Sequence, residues 1–203
     1  MKIGFDAKRA FYNNSGLGNY SRTLLKNLTN YYADNEYHLY SPGMPESSFS
    51  NFVKEQRNIK VHTPQHFISK SFPSLWRSTG ISSQLEQNGI GIYHGLSNEL
   101  PLNISGKKIK KVVSIHDLIF LRYPELYPRM DRTIYNYKFK KACEDADVIV
   151  AISKQTKQDL IEFYGVNEQK IKLIYQSCNE LFYRETDNNQ IKNTQEKYKL
   201  PLE

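Results

Sequence analysis

The chain has 203 residues, of which 39% are hydrophobic and 13% aromatic. This is enough apolar material for one complete core but not for two well-covered ones, so we expect one domain followed by a tail. Twenty-eight Lys and Arg against twenty-one Asp and Glu give a net charge of +7, which favours partners that carry phosphates or other anionic groups. No apolar run approaches the roughly 20 residues of a membrane-spanning helix. The two cysteines, Cys143 and Cys178, are expected to be reduced, which favours the cytoplasm.

Short apolar runs rich in β-branched and aromatic residues alternate along the chain with longer helical patterns. This alternation is typical of a parallel sheet covered by crossover helices. It predicts an α/β fold that is Rossmann-like and doubly wound, with a mainly parallel sheet of about seven strands. The predicted strands are Lys2–Asp6, Glu36–Tyr40, Ile59–His62, Gly91–His94, Lys111–His116, Val148–Ile152 and Ile171–Tyr175.

Four helices are predicted between these strands. Apolar residues spaced three and four apart predict the first helix, with a core-facing stripe formed by Leu17, Tyr20, Leu24, Leu28 and Tyr31. The other three helices are predicted at Leu75–Gln87, Met130–Cys143 and Lys154–Tyr164. Ser153 is placed to cap the last helix at its start, and Gly165 fits the left-handed position after its end.

The remaining segments predict loops and a tail. Pro42–Phe52 and His62–Pro73 are polar or contain proline, and both are expected to form long loops at one edge of the sheet. Arg184–Lys199 is strongly polar and predicts a linker followed by a short surface helix. We therefore expect a Rossmann-like domain over residues 1–180 and, over 181–203, a linker toward a C-terminal domain that this sequence lacks.

A glycine-rich loop, Ser15-Gly16-Leu17-Gly18-Asn19-Tyr20, opens the first predicted helix. Two glycines at this position would let a ligand phosphate approach the backbone N–H groups at the positive end of the helix. An ordinary strand-to-helix turn, in which the glycines are needed only for the backbone conformation, explains the sequence of this loop equally well.

Several polar side chains are expected at the carboxyl ends of the strands, where open α/β sheets bind ligands. His116 and Asp117 follow a buried strand, and the alternative is a structural pair in which Asp117 caps the next turn. Ser153 follows the neighbouring strand and either holds a phosphate or sugar hydroxyl or only caps its helix. Lys8 and Arg9 follow the first strand and would bring positive charge to the same edge.

Two kinds of site are not expected. The dinucleotide fingerprint lacks its third glycine, and no carboxylate follows the second strand, so we do not expect an NAD or FAD enzyme. His62 and His66 are separated by Pro64 and cannot share a helical face, so we predict no metal site in the protein.

The segment around the third predicted helix is both basic and aromatic. Such a composition suits a membrane surface or a polyanion, whereas a solvated helix face with some tyrosines turned to the core is the commoner arrangement. The residues concerned are Arg122, Arg129, Arg132, Lys138, Lys140 and Lys141, interleaved with Tyr123, Tyr127, Tyr135 and Tyr137.

Four segments together resemble the family-4 glycosyltransferases, particularly bacterial enzymes that build surface polysaccharides. Val113-Ser114-Ile115-His116-Asp117-Leu118 through Glu125 is the most specific of them. The others are Ile3-Gly4-Phe5-Asp6-Ala7 through Arg22, Tyr93-His94-Gly95 through Leu102, and Ala151-Ile152-Ser153-Lys154 through Leu160. The sequence departs from the family at Asn19, where an Arg often stands, and at Tyr175–Asn179, where the family commonly has a short Asn-Gly or Pro-Gly turn.

The resemblance implies one half of a GT-B architecture and a retaining transfer of a sugar, with mannose as a first guess. The sugar would move from a nucleoside-diphosphate sugar, which is a co-substrate, to a glycan or lipid-linked acceptor without a cofactor. The catalytic candidates are His116 and Asp117, and the substrate-binding candidates are Gly16, Leu17, Gly18, Asn19, Ser153 and Arg9.

The family's second half carries two glutamates and a basic pair for the donor, which this chain lacks, so we expect the chain alone to be inactive. The enzyme would lie in the cytoplasm or against the inner face of the membrane. The alternative is a non-catalytic Rossmann-like module that binds an acidic glycan or an anionic membrane. Nucleic acid is not expected as a partner, because no recognition motif is present.

Overall fold

The computed structural model describes residues 1–64, 72–178, 180–183 and 185–201, with only the backbone of Pro73, Glu180 and Leu181. Seven parallel strands form one sheet in the order β3-β2-β1-β4-β5-β6-β7. They are β1 (Lys2–Asp6), β2 (Glu36–Tyr40), β3 (Ile59–His62), β4 (Ile92–Gly95), β5 (Lys110–Ile115), β6 (Val148–Ala151) and β7 (Ile171–Leu173). The Rossmann-like, doubly wound sheet predicted from the sequence is confirmed, with small shifts at the ends of four strands.

Helices connect the strands. They are α1 (Lys8–Tyr12), α2 (Gly16–Tyr31), α3 (Ser48–Glu55), α4 (Pro73–Leu75), α5 (Ile81–Gln87), α6 (Ile119–Arg122), α7 (Arg129–Asp145), α8 (Lys154–Tyr164) and α9 (Asn188–Tyr198), with a π-helical turn at Trp76–Gly80 between α4 and α5. Among the described residues, no helix combines the length and apolarity needed to cross a membrane.

The core consists of two clusters, because successive side chains of a strand point to opposite faces of the sheet. Tyr37 and Leu39 of β2 belong to one cluster, together with Leu25 of α2. Tyr40 of the same strand belongs to the other cluster, which also includes Phe139 of α7. The sheet is therefore covered by helices on both sides, as the apolar strand runs predicted.

Helix α2 is found where it was predicted, and Tyr20, Leu24 and Leu28 of the predicted stripe pack partly buried against the core. The most buried residues are Gly18, Ser21, Leu25 and Thr29, whereas Tyr31 of the predicted stripe is 79% exposed. Small side chains allow close packing here, and the hydroxyls of Ser21 and Thr29 donate to the carbonyls of Leu17 and Leu25 within the helix. Residues that look polar in the sequence can thus lie in the core.

The loop predicted for Pro42–Phe52 is wrong over its second half, where α3 begins at Ser48. The Oγ of Ser47 accepts a hydrogen bond from the backbone N–H of Ser50 at 3.1 Å and caps this helix. Phe49 and Val53, one turn apart, are buried against α1 and β2. In the other predicted loop, His62–Pro73, residues 65–71 lie outside the described part of the chain.

The caps and the surface helix of the tail agree with the sequence predictions. Ser153 accepts a hydrogen bond from the N–H of Thr156 at 3.0 Å, and Gly165 follows α8 with a φ of 63°. Helix α9 is exposed along most of its length. Residues 184, 202 and 203 of the predicted linker lie outside the described residues.

Candidate functional site

The order of the strands reverses between β1 and β4, which opens a crevice at the carboxyl edge of the sheet. Asp6 ends β1, His116 follows β5, and Ser153 follows β6. The amino end of α2 reaches the same edge, because the ring of Tyr20 packs edge-on against the ring of His116, with 4.8 Å between the ring centroids. The predicted site residues on these elements therefore share one region of the molecule.

His116 is buried and fixed by its neighbours. Its Nε2 lies 2.9 Å from the carbonyl oxygen of Leu96, which can only accept, so this nitrogen carries the proton. Burial lowers the pKa of His116, although the Leu96 carbonyl and the Asp117 carboxylate act in the opposite direction. Its backbone N–H donates to the side chain of Asn98 at 2.8 Å. The imidazole is thus held neutral and in a single orientation.

The second ring nitrogen of His116 meets the segment that follows β7. Its Nδ1 lies 3.1 Å from the side-chain amide nitrogen of Gln176, and with the proton on Nε2 it accepts this hydrogen bond. A sugar hydroxyl that approached Nδ1 would be a donor of the same kind. Gln176 therefore occupies the position at which His116 could receive a ligand.

A second hydrogen-bonded group lies next to His116. The Oγ of Ser114 is 2.7 Å from the hydroxyl of Tyr20 and 2.9 Å from the Nε2 of His94. Burial lowers the pKa of His94 to about 4, with a smaller contribution from His116. Three elements, α2, β4 and β5, are thereby joined through polar side chains below the crevice.

The glycine loop is closed by a side chain that the sequence analysis did not select. The Oδ1 of Asn13 accepts hydrogen bonds from the backbone N–H groups of Ser15 and Gly18, at 2.9 and 3.0 Å. In this structure the N–H of Gly18 is therefore already paired, and no such bond is found for those of Gly16 and Leu17 within the described residues. The open donors lie at the first two positions of α2.

The two glycines of the loop have different surroundings. A Cβ on Gly18 would lie 1.8 Å from the carbonyl oxygen of Asn13, so the close approach of the backbone requires this glycine. A Cβ on Gly16 would meet nothing within 4 Å. The fold itself explains Gly18, whereas Gly16 leaves open space in front of the helix end.

The remaining substrate-binding candidates have separate roles in the structure. Asn19 is exposed, and its Oδ1 accepts a hydrogen bond from Arg22 at 2.6 Å. Arg22 also donates to the carbonyls of Ala10 and Asn13 and so ties α1 to α2. Arg9 is half-buried on α1 and has no ion-pair partner among the described residues.

Ser153 and Asp117 both accept hydrogen bonds from backbone N–H groups, as expected if Ser153 caps its helix and Asp117 caps the turn that follows it. The hydroxyl of Ser153 is 2.9 Å from that of Thr156, which in turn donates to the carbonyl oxygen of His116. The half-buried Asp117 accepts a hydrogen bond from the N–H of Ile119 at 3.2 Å. The contacts with substrate predicted for these residues stay predictions.

An ion pair at the end of β1 completes the crevice. Arg77, in the π-helical turn, lies 2.6 Å from the Oδ2 of Asp6, and both side chains are largely buried. Burial alone would lower the pKa of Arg77, but the carboxylates of Asp6 and Glu99 outweigh it and the pKa is raised. Lys8 lies beside this pair, and burial together with Arg77 and Arg9 lowers its pKa.

Two adjoining hollows of about 420 and 230 Å³ run along α2 toward the segment after β7. They share three residues, Thr23, Asn27 and Ser177. Asn19 lines the larger hollow, and Tyr20 and His94 line the smaller one. A groove of this size, with mixed polar and aromatic walls, can accommodate a sugar-sized ligand.

The histidines near β3 form a pair with each other. The Nε2 of His62 lies 2.8 Å from the Nδ1 of His38, whose other ring nitrogen lies 2.6 Å from Glu36. No group of three or more described His, Cys, Asp or Glu side chains is arranged to hold a metal ion. His66 lies outside the described residues.

The sequence analysis missed the residues that orient the site. Asn98 and Gln176 contact His116, which is distant from both in the sequence. Asn13 contacts the nearby Ser15 and Gly18, and none of the three stands in a recognisable motif. Tyr20 was selected only as a core residue, although its spacing also directs it toward the sheet. Asp6 is a carboxylate at the end of a predicted apolar strand, and this feature of the sequence could have predicted a buried, paired charge at the site.

Comparison with known proteins identifies the family. The family model for glycosyltransferase family 4 matches residues 14–179. A search among curated proteins found no match. Solved structures with the same fold include Alr3699/HepE from Anabaena in complex with UDP-glucose, with a TM-score of 0.63 and 16% identity over 98% of this chain and 50% of that one. A glycosyltransferase from Rickettsia africae matches with a TM-score of 0.58 and 15% identity over 99% and 50% of the two chains.

The chain thus spans about half the length of the solved structures it matches, and its sheet corresponds to one Rossmann-like half of their GT-B architecture. At these identities the likeness concerns the fold alone. The family model covers most of the sequence, including the glycine loop, His116 and Ser153. The chain belongs to glycosyltransferase family 4.

Proposed function

We propose that this chain is the acceptor-side half of a retaining enzyme of surface-polysaccharide synthesis. The enzyme transfers a sugar, with mannose as the first candidate, from a nucleoside-diphosphate sugar to a glycan or lipid-linked acceptor. It works in the cytoplasm, at the inner face of the membrane, and needs no metal or further cofactor. Its donor-binding half would follow residue 203.

The observation that carries this proposal is the arrangement of His116 and the amino end of α2. Tyr20 lies one helical turn after Gly16 and contacts the ring of His116. A ligand in the crevice would therefore meet a neutral imidazole acceptor together with the unpaired N–H groups of Gly16 and Leu17. A sugar diphosphate has hydroxyl donors and phosphate acceptors that complement these two features.

Each site residue receives a role in this proposal. The Nδ1 of His116 accepts a hydrogen bond from a hydroxyl of the transferred sugar once Gln176 has withdrawn, and Asp117 lies beside it. The backbone of Gly16, Leu17 and Gly18 approaches the leaving diphosphate, whose negative charge increases as the bond breaks. Asn19 lines the larger hollow of the groove, and Arg9 and Ser153, which follow β1 and β6, would contact the substrate from the carboxyl edge of the sheet. Closure by a second domain would exclude water from the donor.

Two complexes of a structurally similar protein support a nucleotide-sugar donor. The Anabaena protein has been solved with UDP-glucose, and also with UDP and glucose. Its match covers half of its own length, which is consistent with a donor site shared between two halves.

The first test is to sequence the gene beyond the codon for Glu203 and to assay the product of the complete reading frame. We expect a second βα half with paired glutamates and a basic donor site. The complete protein should release a nucleoside diphosphate in the presence of GDP-mannose and a membrane extract, and the product should keep the donor's anomeric configuration by NMR. A stop codon after Glu203, or a complete protein inactive with every nucleotide sugar, contradicts the proposal and favours a binding module.

A further inference from the structure

The outward face of α7 carries large apolar side chains that no described residue covers. Met130, Ile134 and Tyr137 are 74, 45 and 61% exposed, and Leu126 just before the helix is 68% exposed. Met130, Ile134 and Tyr137 are spaced four and three residues apart, which places them in one row along the helix, opposite the side on which Phe139 is buried. This row and Leu126, which lies in the turn before the helix, are called the apolar stripe.

A basic hollow of about 330 Å³ lies between α6 and the first half of α7, on a different side of the helix from the apolar stripe. Arg129, Arg132, Thr133 and Asn136 of α7 line it together with Leu121 of α6. This arginine hollow follows from sequence spacing, because residues three and four apart share a helix face.

The two guanidinium groups of the arginine hollow are incompletely satisfied. Neither Arg129 nor Arg132 forms an ion pair with a carboxylate within the described part of the chain. Arg132 donates to the carbonyl oxygen of Pro124 at 3.3 Å, but its buried Nε has no hydrogen-bond partner among the described residues. An anionic oxygen would complement this hollow better than water does.

Three of the other four cations of the basic segment form ion pairs, whereas Lys140 is exposed and has no ion-pair partner among the described residues. Arg122 is paired with Asp159 and Glu162, Lys138 with Glu99, and Lys141 with Asp145. Of the tyrosines, Tyr127 and Tyr135 contact the ring of Phe120, whereas Tyr123 and Tyr137 are exposed. The sequence pattern therefore combines ordinary ion pairs with cations that have no carboxylate partner, two of which line the arginine hollow.

We propose that α7 lies on an anionic membrane, with the apolar stripe at the boundary between headgroups and acyl chains and a lipid phosphate in the arginine hollow. Exposed apolar residues flanked by unpaired cations are the combination that interfacial helices use. The net charge of +7 adds a general attraction to anionic lipid.

The position of this surface gives it a functional meaning. Helix α6 and the segment before α7 follow directly after His116 and Asp117, so the apolar stripe begins near the crevice. A membrane under α7 would present a lipid-linked acceptor close to the proposed site of transfer. The inference thus rests on the proposed function for its purpose, although vesicle binding itself requires no sugar transfer.

The test is sedimentation of the 203-residue chain with vesicles of phosphatidylcholine alone and of phosphatidylcholine mixed with phosphatidylglycerol. We expect binding to the anionic vesicles and little to the neutral ones. In a stripe variant, Met130→Glu with Ile134→Glu, the partition coefficient should fall by about tenfold or more, because charges replace apolar groups at the interface. In a hollow variant, Arg129→Gln with Arg132→Gln, it should fall by about fivefold for each arginine.

Matched controls separate this surface from general effects. Tyr31→Glu with Tyr32→Glu introduces two charges at exposed aromatic residues on α2 and just after it, and Lys108→Gln with Lys172→Gln removes two exposed cations elsewhere. Both controls should bind anionic vesicles within about twofold of the original chain, apart from a small loss of long-range attraction in the second. Circular dichroism verifies that every variant is folded.

Three results would overturn the inference. If the stripe variant binds anionic vesicles as well as the original chain, the apolar stripe is not the docking face. If the hollow variant binds them no more weakly than the lysine control, the arginine hollow does not hold a lipid phosphate. If the stripe variant instead dissociates a dimer seen by light scattering, the face is covered by a second copy of the chain. Vesicle binding by an otherwise inactive complete protein would contradict the transferase proposal alone, whereas full activity without vesicle binding would contradict only the membrane surface.

Discussion

At the scale of single residues, the glycine loop separates a structural requirement from a functional one. Replacing Gly18 by Ala would place a Cβ against the backbone of Asn13, so we expect the free energy of unfolding to fall by about 1–3 kcal/mol. Replacing Gly16 by Ala should leave stability unchanged, because nothing lies near its Cβ. Urea denaturation of the two variants measures both effects. Equal stabilities for the two variants would contradict this assignment.

The same pair of variants also tests the proposed donor site. In the complete protein, Gly16→Ala should weaken binding of a nucleotide sugar, because the added methyl group occupies the open space before the unpaired N–H groups of α2. Isothermal titration measures this binding. Unchanged affinity in a stable Gly16→Ala protein would indicate that the loop is only a turn.

His116 offers a test that needs no enzyme activity. The carbonyl of Leu96 can only accept, so we expect the Nε2-protonated tautomer at neutral pH. The ¹⁵N chemical shifts of the imidazole distinguish the tautomers. Gln176→Ala should leave this tautomer in place, since Leu96 determines it. A proton on Nδ1 in either protein would show that our assignment of the two hydrogen bonds is wrong.

At the scale of elements, the π-helical turn Trp76–Gly80 brings Arg77 to the end of β1. Removing one partner of a buried pair leaves a charge without compensation and costs about 3–5 kcal/mol, so Asp6→Asn and Arg77→Met should each be strongly destabilising. The double variant should lose less free energy of unfolding than the two single variants lose together. Thermal or urea unfolding of all four proteins forms the required cycle, and additive losses would mean that the two side chains do not interact.

Elements with their own apolar signal were the ones that the sequence predicted. All seven strands were predicted, and β6 within Val148–Ile152 has the clearest signal because β-branched residues fill a buried strand there. Helix α8 is marked by Ser153 at its start and Gly165 at its end. Helix α3 was missed because its polar first turn and the preceding proline resemble a loop, and only Phe49 and Val53 mark its buried face. Propensity is a weak guide for a helix stabilised mainly by tertiary contacts.

The contacts that orient the candidate site could not be predicted in this way. The hydrogen bonds of His116 with Leu96 and Gln176, and the ion pair of Asp6 with Arg77, join residues from separate parts of the chain. The sequence placed His116 and Ser153 at the correct edge because parallel strands end together. Which partner each side chain meets depends on loop paths and rotamers that carry no sequence period.

At the scale of the whole molecule, partly buried neutral histidines should make stability depend on pH. Burial is the main cause that lowers the pKa of His62 and of His94 to about 4. The unfolded chain takes up these protons nearer the usual value of 6.5, so the contribution to stability is complete above about pH 6.5 and is lost as the pH falls toward 4. We expect a loss of about 1–3 kcal/mol for each histidine.

The measurement is urea unfolding at several pH values between these limits. A variant with His62→Gln and His94→Gln keeps polar groups at both positions but cannot titrate there, so its stability should fall less steeply than that of the original chain. Because carboxylates contribute to both proteins alike, the difference between the two slopes is the informative quantity. Parallel slopes would show that these histidines do not control the acid sensitivity.

The order of the strands also affects how the chain reaches its fold. Strand β1 is made first, yet it lies inside the sheet and pairs with β4 as well as with β2, with Ile3 opposite Ile92. During synthesis, one edge of β1 therefore stays unpaired until the chain has been extended past Gly95. Such long-range parallel pairing is intrinsically slow, and an open apolar edge favours aggregation. Expression at low temperature, or with a chaperone that binds nascent chains, should accordingly raise the yield of folded protein.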